Sequence, residues 1–235
     1  MDLEDAVAVD SKEAARAAVE AFLCTGAEVV VRINGSDTDW FADDLAVLAP
    51  HSCSVMVPKA HSVDQLTDVA EALPSGTPLI ALIETARGLV DAVAVCEHDA
   101  VVRAAFGSVD LGAELGVDPD DNLALQFARS SVVVASAAAG CSPPLDGVTT
   151  DLATPEGLAR DLAHAEQLGF GGKLCIHPKQ VPAANDQFSP SKRDVEWARR
   201  IVSVASEGRV CVVDGKMVDK PVIDRAQRIL ARHTR

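Results

Sequence analysis

Two apolar runs that end in carboxylates decide the fold: residues 79–84 (LIALIE) and residues 101–110 (VVRAAFGSVD). Each run reads as a β-strand, because several apolar residues in a row are typical of a strand that is covered on both faces. Glu84 and Asp110 stand 26 positions apart, which is about one strand–helix repeat. Two neighbouring parallel strands would therefore hold both carboxylates side by side at one rim of a sheet or barrel.

This pair of carboxylates predicts a metal site. Two carboxylates held close together repel each other unless a proton or a cation lies between them. Mg²⁺ is a hard cation that takes oxygen ligands, and one or two carboxylates often suffice to bind it. The sequence therefore predicts that Glu84 and Asp110 bind Mg²⁺, with a simple ion-paired rim as the alternative.

Strand-like and helix-like segments alternate along the chain. Residues 1–7 read as the end of a strand, and six further strands are predicted at 28–33, 53–57, 79–84, 102–106, 145–148 and 171–177. The helices between them are predicted at 11–25, 37–49, 63–73, 86–97, 122–139 and 154–168, with a polar loop after Asp110. Two more helices, at 191–207 and 218–233, close the chain.

Strict alternation of strands and helices predicts a parallel sheet. Eight repeats would close a (β/α)₈ (TIM) barrel. Seven predicted strands therefore indicate an α/β fold of the barrel type that lacks its first strand and helix, over residues 1–190. Residues 191–235 would form a C-terminal helical extension. An open doubly wound sheet remains the alternative, because strand count alone does not exclude it.

Polar residues recur at the carboxyl ends of the predicted strands, where barrel enzymes build their active sites. They are Glu4, Asp5, Arg32, Asn34, Lys59, Glu84, Asp110 and His177. An arginine after an apolar strand, with an asparagine two positions later, favours bidentate binding of a carboxylate. Lys59 has an equal claim as a site residue or a surface charge, and a structural role is favoured for His177.

Composition limits the classes of partner. A net charge of −14 and a pI near 4.7 argue against a general nucleic-acid surface, which needs a positive field. No apolar run approaches the length of a membrane span, and no signal peptide is visible. The six cysteines form no CxxC pair, as expected of reduced thiols in a cytoplasmic protein. A small anionic substrate remains compatible with this charge.

Six short motifs occur in order along the chain. They are Asp2-Leu3-Glu4-Asp5-Ala6-Val7, Arg32-Ile33-Asn34, Pro58-Lys59, Ile83-Glu84-Thr85, Phe106-Gly107-Ser108-Val109-Asp110 and residues 172–180 (GKLCIHPKQ). Together they resemble the citrate lyase β-subunit (CitE-like) branch of the HpcH/HpaI aldolase superfamily, whose relatives include malyl-CoA and citramalyl-CoA lyases. Their order and spacing match over nearly the whole chain.

The resemblance implies a Mg²⁺-dependent barrel, trimeric or hexameric, that cleaves a 3-hydroxy-acyl thioester into acetyl-CoA and an oxo acid. Glu84 and Asp110 match the metal ligands of the family, and Arg32 matches the arginine that holds the oxo-acid carboxylate. Asp219 matches a catalytic aspartate that reaches into a neighbouring subunit. Glu4 and Asp5 are further candidates for proton transfer. Arg32, Asn34, Lys59 and Glu84 are expected to contact the substrate.

One departure from the family keeps two further functions open beside the CoA lyase. Family members begin with a strand and a helix before the Asp-Leu-Glu-Asp motif, and that piece is missing here. The first further function is an aldolase that acts on free 2-oxo acids without CoA. The second is a catalytically inactive, truncated paralogue that serves as a component of an oligomer.

Overall fold

The structure is a computed structural model, and it describes residues 1–205, 211–213 and 216–233. It divides the chain into two compact units, Met1–Gln180 and Val181–Arg235. This boundary lies ten residues before the one expected at residue 190, and the roles expected of the two parts remain predictions. None of the helices in the described residues combines the length and the apolarity needed to cross a membrane.

The first unit is built on a six-stranded parallel sheet. Its strands lie in the order β1-β2-β3-β4-β5-β6, and each pairs with the next one along the chain. They are β1 (Val30–Arg32), β2 (Ser54–Val57), β3 (Leu79–Ile83), β4 (Val101–Phe106), β5 (Ser142–Asp146) and β6 (Gly172–Lys173). The predicted parallel α/β class is confirmed.

One helix precedes β1, and the others connect successive strands of this sheet. They are α1 (Lys12–Leu23), α2 (Phe41–Leu48), α3 (Val63–Ala72), α4 (Ala86–Val90), α5 (Ala92–Cys96), α6 (Ser108–Leu115), α7 (Gln126–Ala138) and α8 (Pro155–Leu168). A doubly wound sheet reverses its strand order at a switch point, whereas this order runs consecutively from β1 to β6. With right-handed crossovers throughout, consecutive order places all the helices on one face, as in a barrel.

The sheet differs from the predicted barrel in its extent. Within residues 1–180, all of which the structure describes, β1 and β6 are the two ends of an open sheet rather than neighbours. The segment read as a first strand contributes one parallel bridge, between Asp2 and Arg32. The chain then turns, because the backbone N–H of Val7 donates to the carbonyl of Glu4 at 2.9 Å. The strand end predicted in residues 1–7 is therefore reduced to this one bridge, and the sheet has six strands instead of the predicted seven.

Two further elements correct the sequence interpretation. The strand predicted over 171–177 ends at Lys173, because Oε1 of Gln180 accepts the backbone N–H groups of Ile176 and His177 and draws them out of the ladder. Asp110 does not precede a loop but lies in the first turn of α6. That helix ends at Gly116, whose φ of +72° is the left-handed conformation that favours glycine.

Branched aliphatic residues fill both faces of the sheet. Every residue of β3 is buried, as expected for a central strand of a parallel sheet. On one face, Met56, Ile80, Leu82 and Ala105 form a cluster against which Leu145 and Leu174 pack. Helices α5 and α7 pack against β3, β4 and β5. This rigid sheet fixes the residues that follow its strands.

The second unit consists of three helices and two short strands around its own core. It contains α9 (Val181–Phe188), α10 (Lys192–Ala205), β7 (Cys211–Val213), β8 (Lys216–Val218) and α11 (Lys220–His233). The two predicted C-terminal helices are present in α10 and α11. They pack through Ala198, Ile201 and Ala226, together with Val218 of β8.

Candidate active site

Arg32 ends β1 and is held by two acids from the N-terminal segment. Its Nε and Nη2 donate to the two carboxylate oxygens of Asp2 at 2.9 and 2.5 Å, a bidentate pair. Its Nη1 lies 2.8 Å from Oε2 of Glu4. Burial acts to lower the pKa of Arg32, but the hydrogen bonds to Asp2 and the charge of Glu4 outweigh it, so the pKa is raised. Arg32 is therefore a fixed cation at the strand ends.

Glu4 is a buried acid without a full set of partners. It is 4% exposed, and neither of its carboxylate oxygens accepts a well-directed hydrogen bond from any residue that the structure describes. The charged groups nearby are Nη1 of Arg32 and, at 3.8 Å, Nζ of Lys59. Burial raises the pKa of Glu4 to about 7, although Arg32 acts in the opposite direction. Such a group can accept or donate a proton near neutral pH.

Lys59 follows β2 and has an unusual backbone conformation. Its φ is +48°, the only positive φ among the described residues other than glycine. In this conformation its backbone N–H donates to Oε1 of Glu84 at 2.8 Å. Its side chain is 40% exposed, so the main chain of Lys59, more than its ammonium group, is part of the buried site.

Glu84 follows β3 directly and is 2% exposed. Thr85 caps the helix that begins after it, because the Thr85 hydroxyl accepts the N–H of Gly88 at 3.0 Å. Burial raises the pKa of Glu84 to about 8, the hydrogen bond from Lys59 opposes this, and repulsion by Glu4 and Asp110 adds to it. The carboxyl group is therefore close to both acids and short of cations.

Gly107 makes room for Glu84. A Cβ atom at this position would lie 2.3 Å from Cβ of Glu84 and 2.6 Å from its Oε2. Only glycine permits this approach of two neighbouring strand ends. Asp110 lies one turn into the helix after Gly107, where the positive end of the helix dipole favours a carboxylate.

These residues form an acid-rich cluster, consisting of Asp2, Glu4, Glu84 and Asp110 with Arg32 and Lys59. Four carboxylates face two cations, which is an excess of two negative charges when all are ionised. No group of three or more His, Cys, Asp or Glu side chains in the described part of the chain is arranged to enclose a metal by itself. Two carboxylates with water and substrate oxygens still fit Mg²⁺, which seldom has an all-protein cage.

The remaining residues expected at this site have different surroundings. Asn34 is 2% exposed. Its Oδ1 accepts from Lys12 at 2.7 Å, and its Nδ2 donates to Asp44 at 2.6 Å. Asp5 is exposed and, with Glu4, Lys59 and Asn34, lines a cavity of about 270 Å³. The structure thus brings these residues together, and their roles in binding remain predictions.

Two of the expected residues accept hydrogen bonds from residues close to them in the sequence. Asp219 belongs to the second unit, is exposed, and accepts the N–H of Val222 at the start of α11. His177 has a structural role, because its Nδ1 accepts the backbone N–H of Lys179 at 3.1 Å. The structure contains one copy of the chain, so the expected action of Asp219 in a neighbouring subunit remains a prediction.

Sequence interpretation missed a second charged cluster at the ends of β5 and β6, which we call the cation-rich cluster: Arg129, Asp146 and Lys173. Asp146 is 1% exposed and accepts from Nε of Arg129 at 3.0 Å and from Nζ of Lys173 at 3.1 Å. Nζ of Lys173 also donates to the carbonyl of Gly147. The available signal was an aspartate, Asp146, inside the strand predicted over residues 145–148.

Three comparisons place the chain among known proteins. A family model described as HpcH/HpaI aldolase/citrate lyase matches residues 1–178. A (3S)-malyl-CoA thioesterase of Cereibacter sphaeroides is 37% identical over 242 residues, covering 98% of this chain and 84% of the relative. The citrate lyase subunit beta of Escherichia coli K12 is 33% identical over 253 residues, covering 98% and 83%.

A solved structure agrees with these relatives. The crystal structure of CitE from Mycobacterium tuberculosis in complex with magnesium, acetoacetate and coenzyme A matches with a TM-score of 0.83 and 35% identity, over 100% of this chain and 89% of that one. The family model and relatives above 30% identity both span most of the chain. The resemblance read from the motifs is thus confirmed, and the chain belongs to the HpcH/HpaI aldolase/citrate lyase family as a CitE-like protein.

Proposed function

We propose that this protein is a Mg²⁺-dependent carbon–carbon lyase that cleaves a 3-hydroxy-acyl-CoA into acetyl-CoA and an oxo acid. The observation that carries the proposal is the excess of buried carboxylates beside a fixed arginine. Glu84 is 2% exposed, lies near Asp110 and has a raised pKa. A protein of the same family binds magnesium, acetoacetate and coenzyme A together, which supports the same three ligand classes here.

Each ligand has a matching group in the cluster. Glu84 and Asp110 would hold Mg²⁺, which when bound polarises the substrate oxygen and fixes its orientation. Arg32, immobilised by Asp2, would bind the carboxylate of the oxo acid, since a planar guanidinium matches a carboxylate in two hydrogen bonds. Lys59 and Asn34 are proposed to complete the substrate site.

The reaction also requires two proton transfers. Cleavage of the carbon–carbon bond removes a proton from the hydroxyl group as it becomes a carbonyl, and adds one to the carbon of the thioester enolate. Glu4 fits the first transfer, because burial keeps its pKa near 7. Asp219 of another copy is proposed for the second, with Asp5 as a further candidate. This role of Asp219 requires a homo-oligomer, which we propose to be a trimer or a hexamer in the cytoplasm.

A second function, thioester hydrolysis, is favoured by one specific finding. A relative at 37% identity is named a (3S)-malyl-CoA thioesterase. A buried carboxyl group with a pKa near neutrality could activate water as readily as it takes a proton from a hydroxyl. An aldolase for free 2-oxo acids and an inactive oligomer component differ from both of these functions, because each would leave every thioester intact.

One experiment separates these functions. The protein is incubated with malyl-, citramalyl- or citryl-CoA, or with a free hydroxylated 2-oxo acid, with Mg²⁺ or with EDTA, and the products are resolved by mass spectrometry. We expect acetyl-CoA and an oxo acid with Mg²⁺ and neither with EDTA. Free CoA with the intact hydroxy acid would indicate the thioesterase. Cleavage of free 2-oxo acids alone would indicate the aldolase, and cleavage of no substrate would indicate the inactive oligomer component.

Matched variants link the activity to the cluster. Glu84→Gln and Asp110→Asn should lower the rate at least ~10²-fold, because each removes a proposed metal ligand. Asp64→Asn is the control, because Asp64 is an exposed acid in the first turn of α3 and takes part in none of the hydrogen bonds or ion pairs described for the cluster. Full activity in Glu84→Gln would contradict the proposal.

A further inference from the structure

Lys12 is a buried lysine in the first turn of α1. Its contacts are explained neither by pairing with an opposite charge nor by the packing of α1 alone. It is 5% exposed. Its Nζ donates to the carbonyl of Leu3 at 2.7 Å, to the carbonyl of Glu4 at 2.8 Å and to Oδ1 of Asn34 at 2.7 Å. An ammonium group has three N–H donors. All three are therefore used, and two of them hold the backbone of the Glu4 segment.

The groups that surround the ammonium group of Lys12 are held in place as well. Nδ2 and the backbone N–H of Asn34 both donate to Oδ2 of Asp44, at 2.6 and 2.8 Å. Asp44 is 0% exposed and its other oxygen lies 3.5 Å from Arg16, one turn after Lys12. The ring of Trp40 covers Nζ of Lys12, with its centroid at 5.0 Å. Groups from α1, α2 and the end of β1 thus fix the ammonium group.

The side chain of Glu4 lacks this kind of support. Its carboxylate oxygens accept no well-directed hydrogen bond from the described residues, so the position of the carboxyl group depends on the backbone that carries it. That backbone is held by Lys12, by the N–H of Val7, which donates to the Glu4 carbonyl, and by Asp2, whose Oδ1 accepts the backbone N–H of Glu4. Loss of the Lys12 contacts would free the carboxyl group to move toward solvent.

We propose that Lys12 is a positioning residue, which works with Asn34 and Asp44 to hold Glu4 in place beside Arg32. The catalytic part of this inference rests on the proposed function. It also assigns the amide of Asn34 to this network, beside the substrate contact proposed above, since its Oδ1 contacts Lys12 and its Nδ2 contacts Asp44. A residue that acts only through Glu4 should lose its effect on catalysis when Glu4 is changed.

A double-mutant cycle tests this coupling. Lys12→Met keeps the length of the side chain but removes the donors, and we expect kcat to fall at least ~10-fold with KM changed less than ~2-fold. In the Glu4→Gln background, Lys12→Met should lower kcat less than ~2-fold further. An equal loss in both backgrounds, or full activity of Glu4→Gln, would overturn the proposal.

Hydrogen exchange tests the same idea without any activity. In Lys12→Met, peptides that cover residues 1–8 should exchange at least ~10-fold faster, while β3 and β4 keep their protection. Lys173→Met is the matched control, because the ammonium group of Lys173 is also buried and donates to the carbonyl of Gly147 and the carboxylate of Asp146. It should leave residues 1–8 unchanged. Faster exchange throughout Lys12→Met would show a general structural role and overturn the proposal.

These measurements also cover two complications. If Lys12→Met does not fold, Lys12→Arg replaces it, because the planar guanidinium keeps the charge but cannot direct three donors as an ammonium group does. If the unmodified protein cleaves none of the thioesters, the proposed function fails, and exchange of residues 1–8 alone decides the inference. Unchanged exchange in both Lys12 variants would then reject it.

Discussion

Two charged clusters lie at the strand ends of the same sheet, and they are built in opposite ways. In the cation-rich cluster, one carboxylate (Asp146) lies between two cations and accepts a hydrogen bond from each. In the acid-rich cluster, Glu4 and Glu84 are just as buried but have too few cations, and burial raises the pKa of both.

The difference indicates which cluster needs a ligand. In the cation-rich cluster, the buried carboxylate of Asp146 already has two hydrogen-bonded counterions. Buried acids that repel one another are held there by the rest of the fold at a cost in stability, and such groups gather at functional sites. A divalent cation would remove this cost in the acid-rich cluster, whereas a further cation in the cation-rich cluster would increase the excess of positive charge.

The largest effect is expected from breaking the cation-rich cluster. Asp146→Asn keeps the shape of the side chain but leaves Arg129 and Lys173 buried without a counterion. We expect the free energy of unfolding, measured with urea, to fall by about 3–5 kcal/mol. The exposed replacement Asp64→Asn should change it by less than about 0.5 kcal/mol. If both variants were equally stable, the cluster would not be the structural element described.

The second-largest effect is a gain in the free energy of unfolding, which we expect when the charge of Glu84 is removed from the acid-rich cluster. The pKa of Glu84 in the folded protein, about 8, lies above the ordinary value of 4.5, so the folded state holds a proton that the unfolded chain has released. The metal-free protein should therefore lose stability as pH rises from about 5 to about 8. Glu84→Gln removes this loss and should raise the free energy of unfolding at pH 8 by on the order of 3 kcal/mol.

Urea unfolding in EDTA at pH 5 and pH 8 checks this prediction. The variant and the unmodified protein should be closest in stability at pH 5, where Glu84 is protonated in the folded state and partly so in the unfolded state. Mg²⁺ should stabilise only the unmodified protein, and more at pH 8 than at pH 5. A variant that is less stable at pH 8 would mean that the ionised Glu84 is already well paired.

A smaller effect is expected from crowding the acid-rich cluster. Gly107→Ala places a Cβ atom 2.3 Å from Cβ of Glu84, so one of the two strand ends must move. We expect a loss of about 1–3 kcal/mol in stability and weaker Mg²⁺ binding by calorimetry. Gly157→Ala is the matched control, since its nearest contact would be 3.5 Å and alanine favours a helix. Unchanged Mg²⁺ binding in Gly107→Ala would contradict the proposal that Glu84 binds the metal.

The sequence predicts the acid-rich cluster well for a physical reason. In a parallel α/β fold, the residue after each strand is placed by the sheet itself, so Arg32, Lys59 and Glu84 could be recognised from the apolar runs before them. The fold class followed from the same alternation. An open sheet was also expected of a barrel that lacks its first strand. The reduction of residues 1–7 to a single bridge was not, because it depends on the local turn after Glu4.

Contacts made by helix residues escaped prediction. Lys12 reads as an exposed residue of an amphipathic helix, yet its stem is buried and its ammonium group reaches backbone carbonyls nine and eight positions earlier. Asp44 resembles a solvated helix acid in the same way but is 0% exposed. Neither residue type nor spacing distinguishes such a lysine from its exposed neighbours, since the acceptors belong to other elements.

The left-handed backbone at Lys59 makes the hydrogen bond to Glu84 independent of the side chain at position 59. Because the amide of this residue, and not its ammonium group, holds Glu84, the side chain can be exchanged while the anchor of the carboxylate stays. Glycine would adopt the same φ with less strain. Position 59 is thus a place where natural variation or design can retune the charge facing the substrate without loosening the residue proposed to bind the metal.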